Sequence, residues 1–189
     1  MIYFGYGVMG AAKTLNALKI VFDYETNGKK VLLLSNTSLV ESRVGWKHKA
    51  ICFDNIIPSD FDDMMRVQKY DAIVIDEVQF CPIGLLVHII LGYKDEHIYC
   101  YGLYNTSDQD VFESSKYVRE NADIVQEFYS VCKCCNNLAR KHAAVIKDEN
   151  GQMAIVLRMQ NITLPKDSYV SLCEECYEKL PKRYGNGQK

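Results

Sequence analysis

The chain has 189 residues, 48% of them hydrophobic and 24% charged, and its formal net charge is −2. This length allows one ordinary core or a core with a small appendage, and the slight acidic balance argues against a nucleic acid as partner. No apolar run is long enough to span a membrane, and the N-terminus lacks the pattern of a secretory signal peptide; we therefore expect a cytoplasmic protein without a membrane partner.

The first 130 residues alternate between predicted strands and helices. Strands are predicted at 1–6, 30–34, 50–53, 70–75, 97–101 and 124–130, and helices from the Lys13-Thr14 pair to about 24, and at 60–68, 83–91 and 113–121. Such alternation predicts an α/β fold with a parallel sheet covered by helices on both faces. After Val131 the chain changes to cysteine pairs and short runs with polar turns, so we predict domains at 1–130 and 131–189.

The first predicted strand leads into a glycine-bearing turn and then into Lys-Thr at the start of a helix. This is the context of a Walker A phosphate loop, whose backbone N–H groups and helix N-terminus attract phosphate. The usual glycine before the lysine is Ala12, which fits if its backbone stays right-handed. The alternative is an ordinary β-turn-α connection. Lys13 would reach the β- and γ-phosphates, and Thr14 would bind Mg²⁺. The predicted nucleotide-binding residues of this loop are Gly7, Val8, Met9, Gly10, Ala11, Ala12, Lys13 and Thr14.

Two acids follow the apolar run at 72–75. Ligands of open α/β sheets gather at the carboxyl ends of strands, where the phosphate loop also lies. We therefore expect Asp76 to hold Mg²⁺ as a Walker B acid and Glu77 to take a proton from an attacking hydroxyl. The alternative is a solvated strand terminus.

Eight cysteines in a reducing compartment need a reason other than disulfides. Cys52, Cys81 and Cys100 are interpreted as small buried hydrophobes. The rest form two knuckles, 132–135 and 173–176, whose C-x₂-C spacing predicts a closed, structural zinc site. We assign Cys132, Cys135, Cys173 and Cys176 as ligands, with Cys134 as a possible replacement for Cys135. Redox chemistry is the rival interpretation, and it is disfavoured because we expect C-x-x-C to follow a β-β unit here rather than to open a helix.

These motifs, in this order, resemble the thymidine kinases that carry a zinc-ribbon lid, a family of animals, bacteria and large DNA phages. The resemblance covers nearly the whole chain. It includes Gly7-Val8-Met9, the run Asp76-Glu77-Val78-Gln79-Phe80, the segment Tyr101-Gly102-Leu103, and Tyr169 ahead of the second knuckle. Ser42-Arg43-Val44-Gly45 resembles a further family segment.

The resemblance implies a P-loop (RecA-like) parallel sheet with a small C-terminal zinc-ribbon lid that carries a lasso loop. It implies transfer of the γ-phosphate of ATP, with Mg²⁺, to the 5′-hydroxyl of thymidine or deoxyuridine, and a homotetramer. Glu77 takes the general-base position and Gln79 joins Asp76 at the nucleotide site. The implied nucleoside contacts are Phe80, Leu103, Phe112 and Tyr169.

Several positions depart from the family pattern. An Asp-Thr-Arg segment is missing after the second strand, Thr106-Ser107 replaces an Asp-Phe or Thr-Phe pair, and Pro165 lies in the region of a lid glycine. These departures motivate an alternative function, a degenerate relative that binds nucleotide or nucleoside without efficient catalysis. A third interpretation, a zinc-ribbon nucleic-acid binder with stacking tyrosines, is disfavoured by the acidic balance.

Overall fold

The computed structural model describes residues 1–147, 149, 151–157 and 168–184. Contacts divide the chain into two compact units, the first formed by Met1–Tyr6, Ala12–Tyr104 and Phe112–Phe128, the second by Gly7–Ala11, Asn105–Val111 and Tyr129–Lys189. In the described ranges no helix combines the length and apolar character needed to cross a bilayer.

The first unit is built on a six-stranded sheet with helices on both faces, which confirms the predicted α/β class. Its elements are β1 (Ile2–Gly7), α1 (Lys13–Thr26), β2 (Val31–Ser35), β3 (Leu39–Glu41), β4 (Lys47–Lys49), β5 (Ile51–Cys52), α2 (Pro58–Val67), β6 (Ala72–Ile75), α3 (Ile83–Gly92), β7 (Ile98–Gly102), α4 (Glu113–Asn121) and β8 (Ile124–Phe128). The strand order is β5-β2-β6-β7-β1-β8.

The central strands are apolar on both faces because helices cover both. All four residues of β6 are buried, and β6 pairs in parallel with β2 and β7. Leu32 and Leu34 point into a core shared with α2, α3 and α4, whereas Leu33 points into a second core under α1. Successive strand residues thus serve opposite faces.

Local sequence explains where the helices begin and end. Pro58 starts α2 with a backbone angle already suited to a helix, and the Asp60 carboxylate accepts a hydrogen bond from the Ile57 amide. The end of α1 is marked by Asn27 and by Gly28, which adopts a φ of 70°. The β3–β4 hairpin was not predicted from the sequence.

The second unit is small and rich in strands. They are β9 (Ser130–Val131), β10 (Leu138–Ala139), β11 (Lys141–Lys147), β12 (Met153–Leu157), β13 (Tyr169–Leu172) and β14 (Lys182–Tyr184), with the short helix α5 (Glu174–Lys179). β13-β11-β12-β14 form one sheet and β10-β9 another. The predicted single strand at 124–130 was wrong in extent, because β8 ends at Phe128 and β9 starts at Ser130.

Candidate active site

A buried pair of opposite charges lies where β6 ends and α1 begins. Lys13 is the first residue of α1 and only 8% exposed, and Asp76 directly follows β6 and is 3% exposed. Burial lowers the pKa of Lys13 to about 8, while the charges of Glu77 and Asp76 oppose that shift. A cation kept among carboxylates at a buried strand end is the arrangement expected of a ligand site.

Asp76 has the surroundings of a metal-binding carboxylate. Burial raises its pKa to about 7, the charge of Glu77 adds to this, and a hydrogen bond with the Thr14 side chain opposes it. A carboxylate beside a threonine hydroxyl is an all-oxygen set, which suits Mg²⁺. Thr14 and Asp76 therefore fit the predicted Mg²⁺ ligands in chemistry and position.

Glu77 is held in an unusual backbone conformation with its carboxylate oriented by a neighbour. Its φ is 55°, in the left-handed region that non-glycine residues rarely adopt. The Gln79 Nε2 atom donates a 2.6 Å hydrogen bond to Glu77 Oε2, and Gln79 Oε1 accepts a 2.9 Å bond from the Leu103 amide. Gly102 leaves room for this amide, since a Cβ there would lie 2.4 Å from Gln79 Oε1. Gln79 thus fixes the Glu77 carboxylate to the end of β7.

An aromatic pair includes Phe80, the residue that follows Gln79 in the sequence. The rings of Phe80 and Phe112 meet edge to face, with centroids 6.1 Å apart, and Phe80 is 52% exposed. The hydroxyl of Ser115 donates a 2.5 Å bond to the Leu103 carbonyl, and that of Ser114 a 2.8 Å bond to the Cys81 carbonyl. Helix α4 thereby fixes the backbone on both sides of the aromatic pair.

The phosphate loop has the backbone of a tight turn, but not the one expected at Ala12. Gly10 has a φ of 77°, and the Ala11 amide donates a 3.3 Å bond to the Val8 carbonyl. Ala12 has φ 59° and ψ 22°, so the condition under which alanine would fit, a right-handed backbone, is not met. The loop geometry demands an angle that glycine adopts without strain.

The four assigned cysteines of the second unit converge. Their sulfur atoms all lie within 4.8 Å of one another, with Cys135 3.7 Å from Cys173 and 3.6 Å from Cys176. A tetrahedral zinc with Zn–S bonds of about 2.3 Å separates its ligands by about 3.8 Å, so the donor set fits this metal. Cys134 is exposed and is not one of the four, so the converging set contains Cys135 and not Cys134. The expectation that C-x-x-C does not open a helix was wrong for the second knuckle, because Cys173 is the N-cap of α5.

The remaining site predictions are placed as follows. Tyr169 starts β13 in the second unit, where it pairs with Ala144. Pro165 lies outside the described residues. Arg43 was named only as part of a family-like segment, yet its charge also acts on Lys13 and lowers its pKa further, after the larger effect of burial. The β3–β4 hairpin presents Arg43 at its turn, and no local sequence pattern assigned it to the site.

This chain is similar to known thymidine kinases over most of its length. A family model described as "Thymidine kinase" matches residues 1–177. A thymidine kinase of Streptococcus thermophilus (strain CNRZ 1066) is 28% identical, covering 96% of this chain and 95% of that protein. One of Shouchella clausii is also 28% identical, covering 95% and 97%, and one of Streptococcus agalactiae serotype Ia is 27% identical, covering 93% and 96%. Among solved structures, a Pif1 helicase from Candida albicans aligns with 68% of this chain and 35% of its own at 13% identity and a TM-score of 0.42.

Proposed function

Because this chain belongs to the thymidine kinase family, we propose that it transfers the γ-phosphate of ATP to the 5′-hydroxyl of thymidine or deoxyuridine, with Glu77 as the general base. The observation that carries the proposal is the grouping of Lys13, Asp76 and Glu77 in the first unit, where the charge of Glu77 acts on both Lys13 and Asp76 and these two act on each other. Phosphoryl transfer depends mainly on positioning and on charge stabilisation of the phosphates, which such a grouping supplies.

Each side chain has one task in this proposal. Lys13 contacts the β- and γ-phosphates and stabilises the charge that they carry during transfer. Thr14 and Asp76 would hold Mg²⁺, which supplies further neutralisation of the phosphate oxygens when bound. Glu77 accepts the proton of the 5′-hydroxyl as that oxygen attacks the γ-phosphorus, and the bond from this phosphorus to the oxygen of the departing ADP breaks. Gln79 donates a hydrogen bond to Glu77 Oε2, so that Oε1 is the oxygen that accepts the substrate proton.

The aromatic residues provide the nucleoside side of the site. Phe80 exposes an apolar ring face to water, which is unfavourable, and stacking on the flat face of a nucleobase would bury that ring. We propose that Phe80 and Phe112, with Leu103, line the nucleoside pocket. The family relationship leads us to propose Tyr169 as a further nucleoside contact. The four cysteines would hold a structural Zn²⁺ that stabilises the second unit.

The alternative is a relative that binds nucleotide or nucleoside without efficient transfer. The backbone of Ala12 supports it, because a non-glycine residue is held at a strained, left-handed angle within the phosphate loop. A kinase assay distinguishes the two functions, since tight nucleoside binding without a phosphorylated product would establish the alternative.

The test of the proposal uses thymidine, deoxyuridine and γ-labelled ATP. We expect Glu77→Gln to lower kcat by about 10²- to 10⁴-fold, the usual contribution of a general base, while ATP affinity is retained. Glu120→Gln is the matched control, because Glu120 is an exposed residue of α4. Unchanged turnover in Glu77→Gln would refute the assigned role. Light scattering of the purified protein tests the homotetramer that the family relationship leads us to propose.

A further inference from the structure

Two segments that interrupt the first unit in the sequence belong by their contacts to the second unit. They are Gly7–Ala11, most of the phosphate loop, and Asn105–Val111, which we call the 105–111 loop. The first begins at the last residue of β1, and the second lies in the sequence between Leu103 and Phe112, two proposed nucleoside contacts. Hydrogen bonds to β11 and β13 hold both segments within this second, cysteine-bearing unit.

The phosphate loop is held by a serine of β13. The Ser171 hydroxyl donates a 2.5 Å hydrogen bond to the carbonyl of Met9, across 162 positions of sequence. The carbonyl of Ser171 accepts a 2.8 Å bond from the amide of Lys133, within the first cysteine knuckle, and Cys173 follows two residues later. Ser171 thus joins the metal-binding cysteines to the backbone of the phosphate loop.

The 105–111 loop is held at the neighbouring position of the same sheet. Gln109 Nε2 donates a 3.1 Å bond to the carbonyl of His142, which is the register partner of Ser171 across β11 and β13. The loop is also closed internally, with Thr106 N bonded to the Asp110 carbonyl at 2.7 Å. Gln109 itself has a φ of 71°, a backbone angle that a non-glycine residue holds only when its surroundings fix it.

We propose that the cross-strand pair His142–Ser171 anchors both segments, and that Ser171 is a positioning residue for nucleotide binding while Gln109 is a positioning residue for the nucleoside pocket. This inference rests on the proposed function. In this proposal the second unit has a further role besides carrying the lid, because it orders the phosphate loop in the nucleotide-free protein. If one of these hydrogen bonds is lost, the loop must be ordered when the ligand binds, and the entropy lost in that ordering weakens binding.

The experiment compares Ser171→Ala with Ser171→Thr, which keeps the hydroxyl, and with Ser130→Ala, a half-buried serine of β9 in the same unit. Calorimetry with a non-hydrolysable ATP analogue should show about two- to tenfold weaker binding for Ser171→Ala, the range expected for one lost hydrogen bond. Ser171→Thr and Ser130→Ala should bind as the unaltered protein does. Hydrogen exchange should rise at the Gly7–Ala11 amides in Ser171→Ala and stay unchanged within α1.

Gln109→Met, which keeps the length of the side chain but removes its donor, provides the reciprocal test. It should weaken thymidine binding and leave the affinity for the ATP analogue unchanged. Equal nucleotide affinity and loop exchange in Ser171→Ala and the unaltered protein would overturn the inference and leave the proposed function standing. Equal loss of both affinities in both variants would also overturn it, because it would indicate general loosening. Absence of nucleotide binding by the unaltered protein would overturn the inference and the proposed function together.

Discussion

Replacing Ala12 by glycine should stabilise this protein, against the usual effect of that substitution. Ala12 is exposed and has φ 59° and ψ 22°. An L-residue in this left-handed region loses about 1–2 kcal/mol to contact between its Cβ and the backbone. Glycine removes that strain but has more freedom in the unfolded chain, which offsets about 0.4–1 kcal/mol. The balance favours the variant Ala12→Gly by about 0.5–1 kcal/mol.

Urea unfolding of the ligand-free protein measures this difference, with the slope of the transition checked for constancy. For a chain of this size the gain corresponds to roughly 1–4 °C in Tm. Ala11→Gly is the matched control, because Ala11 is the adjacent residue of the same loop and lacks a positive φ. There the same exchange should destabilise by about 0.5–1 kcal/mol. If Ala12→Gly unfolds at the same or a lower urea concentration than the parent, backbone strain at this position is refuted.

Three further results are expected. Asp76→Asn should abolish Mg²⁺-dependent turnover yet raise the stability of the ligand-free protein at pH 8 by on the order of 2 kcal/mol. Because the pKa of Asp76 in the folded state is raised to about 7, the stability of the parent protein should fall as pH rises from about 4 to 7. A parent protein whose stability does not change over this pH range would contradict the prediction. Gln79→Met should lower kcat about tenfold with a smaller change in thymidine KM, because Glu77 loses the donor that orients it; a loss confined to KM would show that Gln79 acts in binding alone. Elemental analysis should find about one zinc per chain in Cys134→Ser and a loss of zinc in Cys135→Ser. The reverse result would show that Cys134 binds the metal in place of Cys135.

The core of the fold could be predicted because it depends on local apolar runs. The run at 72–75 is buried at every residue and lies within the sheet as expected. The β3–β4 hairpin was missed because its strands have three residues each and bury only Val40 completely. Such short, half-polar strands lack the periodicity that identifies a strand. The thymidine kinase family, inferred from the order of the motifs, is confirmed by the match over residues 1–177.

The charged group of the site could be predicted for a similar reason. Lys13 and Asp76 each follow the carboxyl end of a parallel strand, so the topology brings them together once the strands are known. Ser171 and Gln109 had no such signal. Their partners are backbone carbonyls, one of them 162 residues away, and a backbone acceptor leaves no mark in the sequence.

The positions where this chain departs from low-energy structure also locate its site, independently of any motif. Among the described residues, the non-glycine residues with positive φ are Ala12, Glu77 and Gln109. Lys13 and Asp76 destabilise the folded protein in a second way, since burial disfavours the charged form of each. All five lie in the segments that we assign to phosphate binding, proton transfer and the nucleoside pocket. Strain and buried charge that destabilise the free protein persist where a ligand makes use of them, and here the phosphates and Mg²⁺ would compensate both.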